Sequence, residues 1–140
     1  MMTGQAYLAD TSVFVYQGRS PEVQRRFQAL LIEGRLAACQ MTALEYLNNA
    51  PDPRRYELLW SAVHGQRWID VTTEAMDRAL VVHRELARLS QHRHFALPDL
   101  IIAATAELAG LTVLHYDDDY DRIAKVTGQP TEWVVPKGSL

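Results

Sequence analysis

Hydrophobic residues along the chain fall into two patterns: short continuous runs, and longer stretches in which apolar residues recur every three or four positions. The short runs are typical of strands covered on both faces, whereas the longer period is that of an amphipathic helix. The runs that predict strands are QAYLAD, RLAACQ, WIDV, LTVLH and TEWVV. Stretches of helical period lie between most of them.

Proline, glycine and capping residues mark the ends of these helices. The stretch that begins at Pro21 ends near Gly34, and its apolar face is predicted at Val23, Phe27, Leu30 and Leu31. Further helices are predicted in MTALEYLNNA, PRRYELLWSAVHG, TTEAMDRALVVHRELARLS and PDLIIAATAELAG. In the longest of these, Thr72 or Thr73 is the expected N-cap. Its packing face is predicted at Met76, Ala79, Val82 or His83, Leu86 and Leu89.

Strands that alternate with helices, without a hairpin signal such as Asn-Gly between strands, predict a mainly parallel sheet covered on both faces. The expected fold class is therefore α/β, with a three-layer α/β/α architecture. No flexible linker, low-complexity run or internal repeat divides the chain, so residues 1–140 are expected to form a single domain. Sheets of this kind bind ligands at the carboxyl ends of their strands.

Composition narrows the classes of function. A net charge of −3 and a pI near 5.9 argue against a protein that holds nucleic acid by bulk positive charge, so a polyanionic partner needs a local basic surface or a metal ion. The single cysteine, Cys39, lies in an apolar run and is expected to be a buried thiol rather than a disulfide or metal ligand. With neither a signal peptide nor a membrane segment in the sequence, we expect a soluble, cytoplasmic protein.

Acidic residues follow the ends of two predicted strands and the starts of two helices. Asp10 ends the first strand, and Asp117 to Asp119 follow LTVLH. Asp99 heads the helix that feeds this later strand, and Glu45 lies in the early turns of the helix after the second strand. Because the carboxyl ends of parallel strands share one edge of a sheet, four separate segments are expected to bring carboxylates into one cleft.

Each of these acids also has a purely structural explanation. Asp99 and Asp10 suit helix starts, Glu45 suits a solvated helix face, and the run DDDYD suits an exposed turn. Convergence at one edge favours a site, because independent caps need not all lie there. Converged carboxylates repel one another unless a cation neutralises them, and an all-oxygen donor set favours Mg2+ or Mn2+. Hydrolysis of a phosphodiester is the natural reaction class for such a site.

The segments YLADTSVFV, MTALEYL, LPDLIIAATA and LTVLHYDDDYDRIA, in this order, resemble the PIN-domain family, and particularly its VapC-type toxin ribonucleases. The resemblance implies a PIN-like α/β/α domain in which Asp10, Asp99 and Asp117 hold the metal. It assigns Glu45 and Asp119 to the same catalytic set. The hydroxyl of Thr11 or Ser12 matches a supporting position beside the pocket.

The resemblance further implies a function and its partners. The expected activity is metal-dependent endoribonucleolytic cleavage of RNA, with Mg2+ as the cofactor and Mn2+ as a substitute. The expected role is that of the toxin in a bacterial toxin–antitoxin pair. Expected partners are the RNA substrate, a cognate antitoxin whose tail covers the acidic pocket, and a second copy of the chain in a homodimer.

Two residues depart from the family's pattern. His115 and Tyr120 stand where a threonine and a phenylalanine are usual, which puts the hydrogen bonding around Asp117 in question. His115 either contacts the scissile phosphate or simply ends its strand, and the structural interpretation is favoured. His92 and His94, which flank Arg93, are a weak signal for a metal pair; a solvated or RNA-facing loop is expected there instead.

Other classes of protein compete with the nuclease hypothesis. A haloacid-dehalogenase-like phosphatase needs a second aspartate two residues after the first-strand acid, where this chain has Ser12. A receiver domain needs a lysine at the end of a late strand, and the only lysines are Lys125 and Lys137. The alternative kept open is a PIN-fold or receiver-like interaction domain without nuclease turnover.

Overall fold

The computed structural model describes residues 4–140 and contains a central sheet of five parallel strands. The strands are β1 (Tyr7–Ala9), β2 (Leu36–Ala38), β3 (Arg67–Trp68), β4 (Thr112–His115) and β5 (Thr131–Trp133). Their order across the sheet is β3-β2-β1-β4-β5. The expected parallel sheet is confirmed, whereas the first three residues of the expected 1–140 domain lie outside the described part of the chain.

The connections between strands are helical. The helices are α1 (Thr11–Gln17), α2 (Pro21–Ile32), α3 (Gln40–Leu47), α4 (Pro53–His64), α5 (Thr73–Arg88), α6 (Leu97–Ala109) and α7 (Asp119–Thr127), and a 3-10 turn spans His92–His94. The sequence pattern did not single out α1 and α7, because each is short and buries only two side chains of its own. The third strand, expected at WIDV, begins one residue earlier at Arg67 and ends at Trp68.

The sheet lies between two helical layers. Side chains alternate across each strand: Leu8 and Val113 pack with helices α5, α6 and α7, whereas Tyr7 and Leu114 pack with α1 and α2 on the other face. Both faces of the central strands are buried, which explains why their sequences are apolar at successive positions. The three-layer α/β/α architecture is therefore confirmed.

Helix α6 lies close against the sheet because its inward face is built from small side chains. Ala103, Ala104 and Ala106 are each at most 2 % exposed. The helix ends at Gly110, whose φ of 71° is the left-handed conformation that glycine adopts most easily. The first turn of α6 is thereby fixed rigidly relative to the strands.

Helix α5 buries a narrower stripe than its sequence predicted. Ala79, Val82 and Leu86 are buried as expected, but Met76 and Leu89 are 44 % and 57 % exposed, so their assignment to the packing face is wrong. Both lie at the margins of the stripe that contacts α6, where periodicity cannot distinguish a core position from a boundary. The same holds for Leu31 at the edge of α2, which is 38 % exposed.

Two smaller expectations, the N-cap of α5 and the burial of Cys39, are confirmed. Thr72 is the N-cap of α5, and its hydroxyl accepts a hydrogen bond of 3.1 Å from the backbone N–H of Ala75. The Cys39 side chain is fully buried. No helix within residues 4–140 has the length and apolar character needed to cross a membrane.

The carboxyl edge of the sheet contains a topological switch point. After β1 the chain continues into β2 on one side, whereas β4 pairs with the other side of β1. Ala9 is in register with Leu114, and the N–H of Asp10 donates to the Leu114 carbonyl at 2.8 Å. Asp10 and the acids after β4 therefore flank the crevice at which open α/β sheets bind ligands.

Candidate active site

Asp10 is fixed through both of its carboxylate oxygens. Oδ2 accepts hydrogen bonds from the backbone N–H and the hydroxyl of Ser12, at 3.0 and 2.7 Å, which makes Asp10 the N-cap of α1. Oδ1 accepts a bond of 2.7 Å from the Tyr120 hydroxyl. The side chain is buried at 4 % exposure. The cap that the sequence suggested is present, and it also orients the carboxylate.

Glu45 reaches the same cleft from α3. Its Oε1 accepts a hydrogen bond of 2.8 Å from the Thr11 hydroxyl, which ties α3 to the start of α1. Burial raises the pKa of the Glu45 carboxyl, the bond from Thr11 partly opposes this, and the negative charge of Asp10 adds to the rise. Glu45 is therefore part of the cluster and not the solvated helix acid that its sequence alone allowed.

Asp99 lies in the first turn of α6 and is only 7 % exposed. Burial, reinforced by the charges of Asp10, Asp117, Asp119 and Glu45, raises the pKa of its carboxyl to about 8. A helix N-terminus alone would lower that pKa, because the macrodipole favours an anion there. Repulsion and desolvation thus outweigh the dipole, so helix capping does not account for Asp99.

The acids after β4 complete the cluster. Oδ1 of Asp117 accepts a hydrogen bond of 2.9 Å from the backbone N–H of Asp119, at the start of α7. The pKa of Asp119 is raised by burial and by the charge of Asp117, although Arg122, whose Nη1 lies 3.6 Å from Asp119 Oδ1, opposes the rise. Asp118 instead points to Lys137, at 2.6 Å.

These carboxylates form two groups that share Asp99. One oxygen from each of Asp10, Glu45 and Asp99 lies within 4.8 Å of the others, and the same holds for Asp99, Asp117 and Asp119. All the expected acids are therefore brought together. Oxygen donors at this spacing suit a hard divalent cation, which would offset the burial and the repulsion that keep Asp99 protonated. The donor set thus fits Mg2+ or Mn2+.

The two hydroxyl residues have different partners. Thr11 holds Glu45, as described above. The Ser12 hydroxyl donates to Asp10 and accepts a hydrogen bond of 2.9 Å from the N–H of Tyr116, so it links the ends of β1 and β4. Ser12 occupies the position at which a haloacid-dehalogenase-like phosphatase needs its second aspartate, and there it supports Asp10 through hydrogen bonds.

His115 is part of the core. It is fully buried between the rings of Tyr120 and Trp133, each with its centroid 5.0 Å away, and burial lowers the pKa of its imidazole. Nδ1 accepts a hydrogen bond of 3.2 Å from the N–H of Asp117, so the proton of the neutral ring is on Nε2. These contacts favour the structural interpretation of His115: it orients the backbone at Asp117 and is shielded from a phosphate.

Tyr120 is the site residue that sequence reasoning missed. Its hydroxyl donates to Asp10 and lies 3.4 Å from Oδ1 of Asp99, and burial together with these two acids raises its pKa well above the usual value. The neutral hydroxyl is therefore a permanent donor. The departures at His115 and Tyr120 were both expected to alter the hydrogen bonding around Asp117. This is right for His115, whose ring accepts from the N–H of Asp117, and wrong for Tyr120, whose hydroxyl bonds to Asp10. A tyrosine one residue after the acid run was the available signal.

The histidines of the 3-10 turn do not form a pair. His92 packs edge-on against His83 with centroids 5.4 Å apart, whereas the His94 side chain is exposed. Within residues 4–140, the groups of closely spaced ligand atoms consist of carboxylates alone. The segment is a helical turn rather than the expected loop, and one of its histidines faces outward.

The model of the PIN domain family matches residues 7–126. The chain belongs to the PIN domain family. Among curated relatives of this PIN domain, ribonuclease VapC18 of Mycobacterium tuberculosis is 43 % identical over 136 residues, which cover 96 % of this chain and 98 % of the relative. Ribonuclease VapC51 of the same species is 43 % identical over 134 residues, or 96 % of each chain.

Solved structures share the fold of this PIN domain. A chain of DNA-bound VapBC from Salmonella typhimurium superposes with a TM-score of 0.76 at 20 % identity, over 94 % of this chain and all of the other. A chain of VapBC2 from Rickettsia felis gives a TM-score of 0.74 at 13 % identity, over 92 % and 98 % of the two chains. At these identities the likeness supports the fold.

Proposed function

We propose that this PIN domain is a metal-dependent endoribonuclease and the toxin of a bacterial toxin–antitoxin pair. The observation that carries the proposal is the convergence of four carboxylates on buried Asp99 at the switch point of the sheet. A cluster of this kind is electrostatically costly without a cation. Family membership and curated relatives named as ribonucleases support the same activity.

Within this proposal, Asp10, Asp99 and Asp117 hold Mg2+, for which Mn2+ substitutes. Glu45 and Asp119 complete the catalytic set, directly or through water. Once bound, the divalent cation supplies Lewis acidity toward a water nucleophile and a phosphoryl oxygen of RNA. To hold the cation, Asp99 would have to lose its proton, so the occupancy of the site would be coupled to the charge of the cluster.

The neighbouring residues keep these oxygens in place. Ser12 and Tyr120 fix the two oxygens of Asp10, and Thr11 fixes Glu45. His115 holds the backbone at Asp117. Ligands restrained on rigid elements in this way lose less conformational entropy when the cation and the substrate bind. Each of these residues has a supporting role, and none needs to exchange a proton with RNA.

The proposed partners are RNA, a cognate antitoxin that covers the acidic pocket, and a second copy of the chain. Support for the antitoxin comes from membership of the family and from structural neighbours that were solved as toxin–antitoxin complexes. An arginine of the antitoxin is suited to compete with the cation, because a guanidinium binds carboxylates in a bidentate geometry. A complex that left all five acids exposed would count against this arrangement.

Cleavage of total bacterial RNA by the purified chain, free of antitoxin, tests the activity. The reaction is run with Mg2+ or Mn2+, with EDTA, and with two variants prepared identically. Asp99→Asn removes the central ligand, whereas Asp118→Asn removes a carboxylate of the same acidic run that pairs with Lys137. We expect discrete fragments from the wild type and from Asp118→Asn only.

The other outcomes separate the competing hypotheses. Cleavage that survives Asp99→Asn would point to a contaminating nuclease or to a different site. A folded protein that binds Mn2+ but cleaves no RNA in any preparation would favour an interaction domain without turnover. Cleavage in EDTA would refute the dependence on metal.

A further inference from the structure

Beside the acidic cluster lies a groove whose charged side chains are basic. The groove encloses about 460 Å3 between the end of α5 with the following 3-10 turn on one side and α7 on the other. Its lining consists of Leu89, Gln91, His94, Arg122, Lys125 and Val126. The lining contains three groups that bear or can acquire positive charge and no carboxylate. We call this surface the basic groove.

Both walls of the basic groove lead back to the acidic cluster. On α7, Arg122 and Lys125 lie one and two turns after Asp119, about 4.5 and 9 Å farther along the axis. On the opposite wall, His94 lies five residues before Asp99. Because Asp99 and Asp119 belong to one group of ligand oxygens, each wall is joined to the cluster by a short stretch of chain.

The cations of the groove are available to a ligand. Arg122 and Lys125 are exposed, and within the described part of the chain Lys125 forms no ion pair. Arg122 lies 3.6 Å from Asp119, a contact that leaves most of its five N–H donors unused. Asp118 and Asp121 lie one turn before Arg122 and Lys125 and line an adjacent pocket with them, but both acids already have partners. Asp118 pairs with Lys137, and Asp121 accepts hydrogen bonds from the Trp133 indole.

The basic groove provides positive charge next to an acidic cluster that would otherwise repel RNA. A chain of net charge −3 with five clustered acids repels a polyanion at the point where cleavage would occur. Phosphates next to the cleaved bond need local cations, which supply most of the affinity of proteins for nucleic acids. Leu89 and Val126 add apolar surface at which a ribose or base can rest.

We propose that the basic groove holds the RNA backbone beside the scissile bond, with Arg122 and Lys125 as positioning residues for its phosphates and His94 on the facing wall. The inference rests on the proposed ribonuclease function, because it extends the path of the substrate from the acidic cluster. It adds the residues that bind the RNA to those that hold the cation.

Binding of a fluorescent single-stranded RNA to the Asp99→Asn chain in EDTA tests the groove without cleavage. Anisotropy is measured over a range of salt concentrations for Arg122→Gln, Lys125→Gln and, as a matched control, Arg54→Gln on exposed α4. Each groove variant should lower the affinity about threefold or more and flatten the logarithmic salt slope by about 0.7, whereas the control keeps the parent values. Lys125→Arg, which keeps the charge, should also keep the affinity.

In the metal-loaded wild-type background, Lys125→Gln should raise KM by a similar factor while kcat stays within about twofold. Equal behaviour of groove and control variants in affinity and salt slope would overturn the proposal. Tighter binding of a labelled hexaglutamate than of the RNA would overturn it in favour of an acidic peptide as the occupant. RNA binding that depends on the groove, together with no cleavage by the wild type, would refute the ribonuclease function. The basic groove would then remain supported as an RNA-binding surface.

Discussion

Helices α4 and α6 both begin with a proline next to an aspartate, yet the two aspartates have opposite surroundings. Asp52 is exposed and caps α4, with its carboxylate accepting a hydrogen bond of 2.9 Å from the N–H of Arg55. Asp99 is buried in the first turn of α6, where burial and four other acids raise its pKa to about 8. The local sequence signal is nearly the same for both.

The difference arises from where each helix starts relative to the sheet. Asp99 faces the crevice between β1 and β4, at which the strands direct other acids toward it. Asp52 belongs to neither group of close carboxylates among residues 4–140. Asp52 is therefore a helix cap, whereas Asp99 is a candidate metal ligand. Only the segments that surround each helix start distinguish the two cases.

The largest contrast is expected in metal binding. Asp99→Asn should weaken Mn2+ binding by about 100-fold or more, since even residues that only support a ligand contribute 10–100-fold. Asp52→Asn should leave it unchanged. Thermal melting with increasing Mn2+ measures the effect, because a ligand at about 100 times its Kd stabilises the folded state by about 2.7 kcal/mol. An equal shift of melting temperature in wild type and Asp99→Asn would remove Asp99 from the metal site.

In the absence of metal, the two aspartates should affect stability with opposite signs. At neutral pH the folded chain must keep Asp99 protonated whereas the unfolded chain ionises it, and Asp99→Asn removes this cost, so the free energy of unfolding is expected to rise by about 2 kcal/mol. Asp52→Ala removes a helix cap and should lower it by about 1 kcal/mol. Urea titration in EDTA measures both. A destabilised Asp99→Asn would show that the carboxylate is a net stabilising group.

The dependence of stability on pH should reveal the raised pKa of Asp99. The folded chain keeps the Asp99 proton up to about pH 8, whereas the unfolded chain releases it near its ordinary pKa of 3.8. The folded state therefore binds more protons in this window, and the free energy of unfolding contributed by Asp99 falls as pH rises through it. Above about pH 8 the loss is complete.

Subtracting the profile of Asp99→Asn from that of the wild type removes the contributions of acids that titrate alike in both proteins. What is left is the contribution of Asp99 together with its coupling to neighbouring acids such as Asp119. In EDTA the difference should grow between about pH 4 and pH 8 and then level off. A flat difference for Asp99→Asn would mean that Asp99 is ionised in the folded chain at acidic pH.

Sequence patterns predicted the parts of this molecule that depend on general rules. Asp10 and Asp117 are predicted at one edge because parallel strands share a direction and short apolar runs identify those strands. The exposed Met76 was misplaced because periodicity gives the direction of a helix face and not its width. The partners of His115 and Tyr120 depend on which side chains meet across the core. Contacts between residues far apart in the chain cannot be predicted from a single sequence.

The smallest expected effect tests how firmly the acidic cluster is held. Tyr120→Phe introduces the residue usual in the family and removes the hydroxyl that donates to Asp10 at 2.7 Å. We expect the free energy of unfolding in EDTA to fall by about 1 kcal/mol, since Ser12 still holds the other oxygen of Asp10. Mn2+ affinity should change far less than in Asp99→Asn. A Mn2+ affinity reduced as strongly as in Asp99→Asn would instead make the tyrosine hydroxyl essential for the geometry of the site.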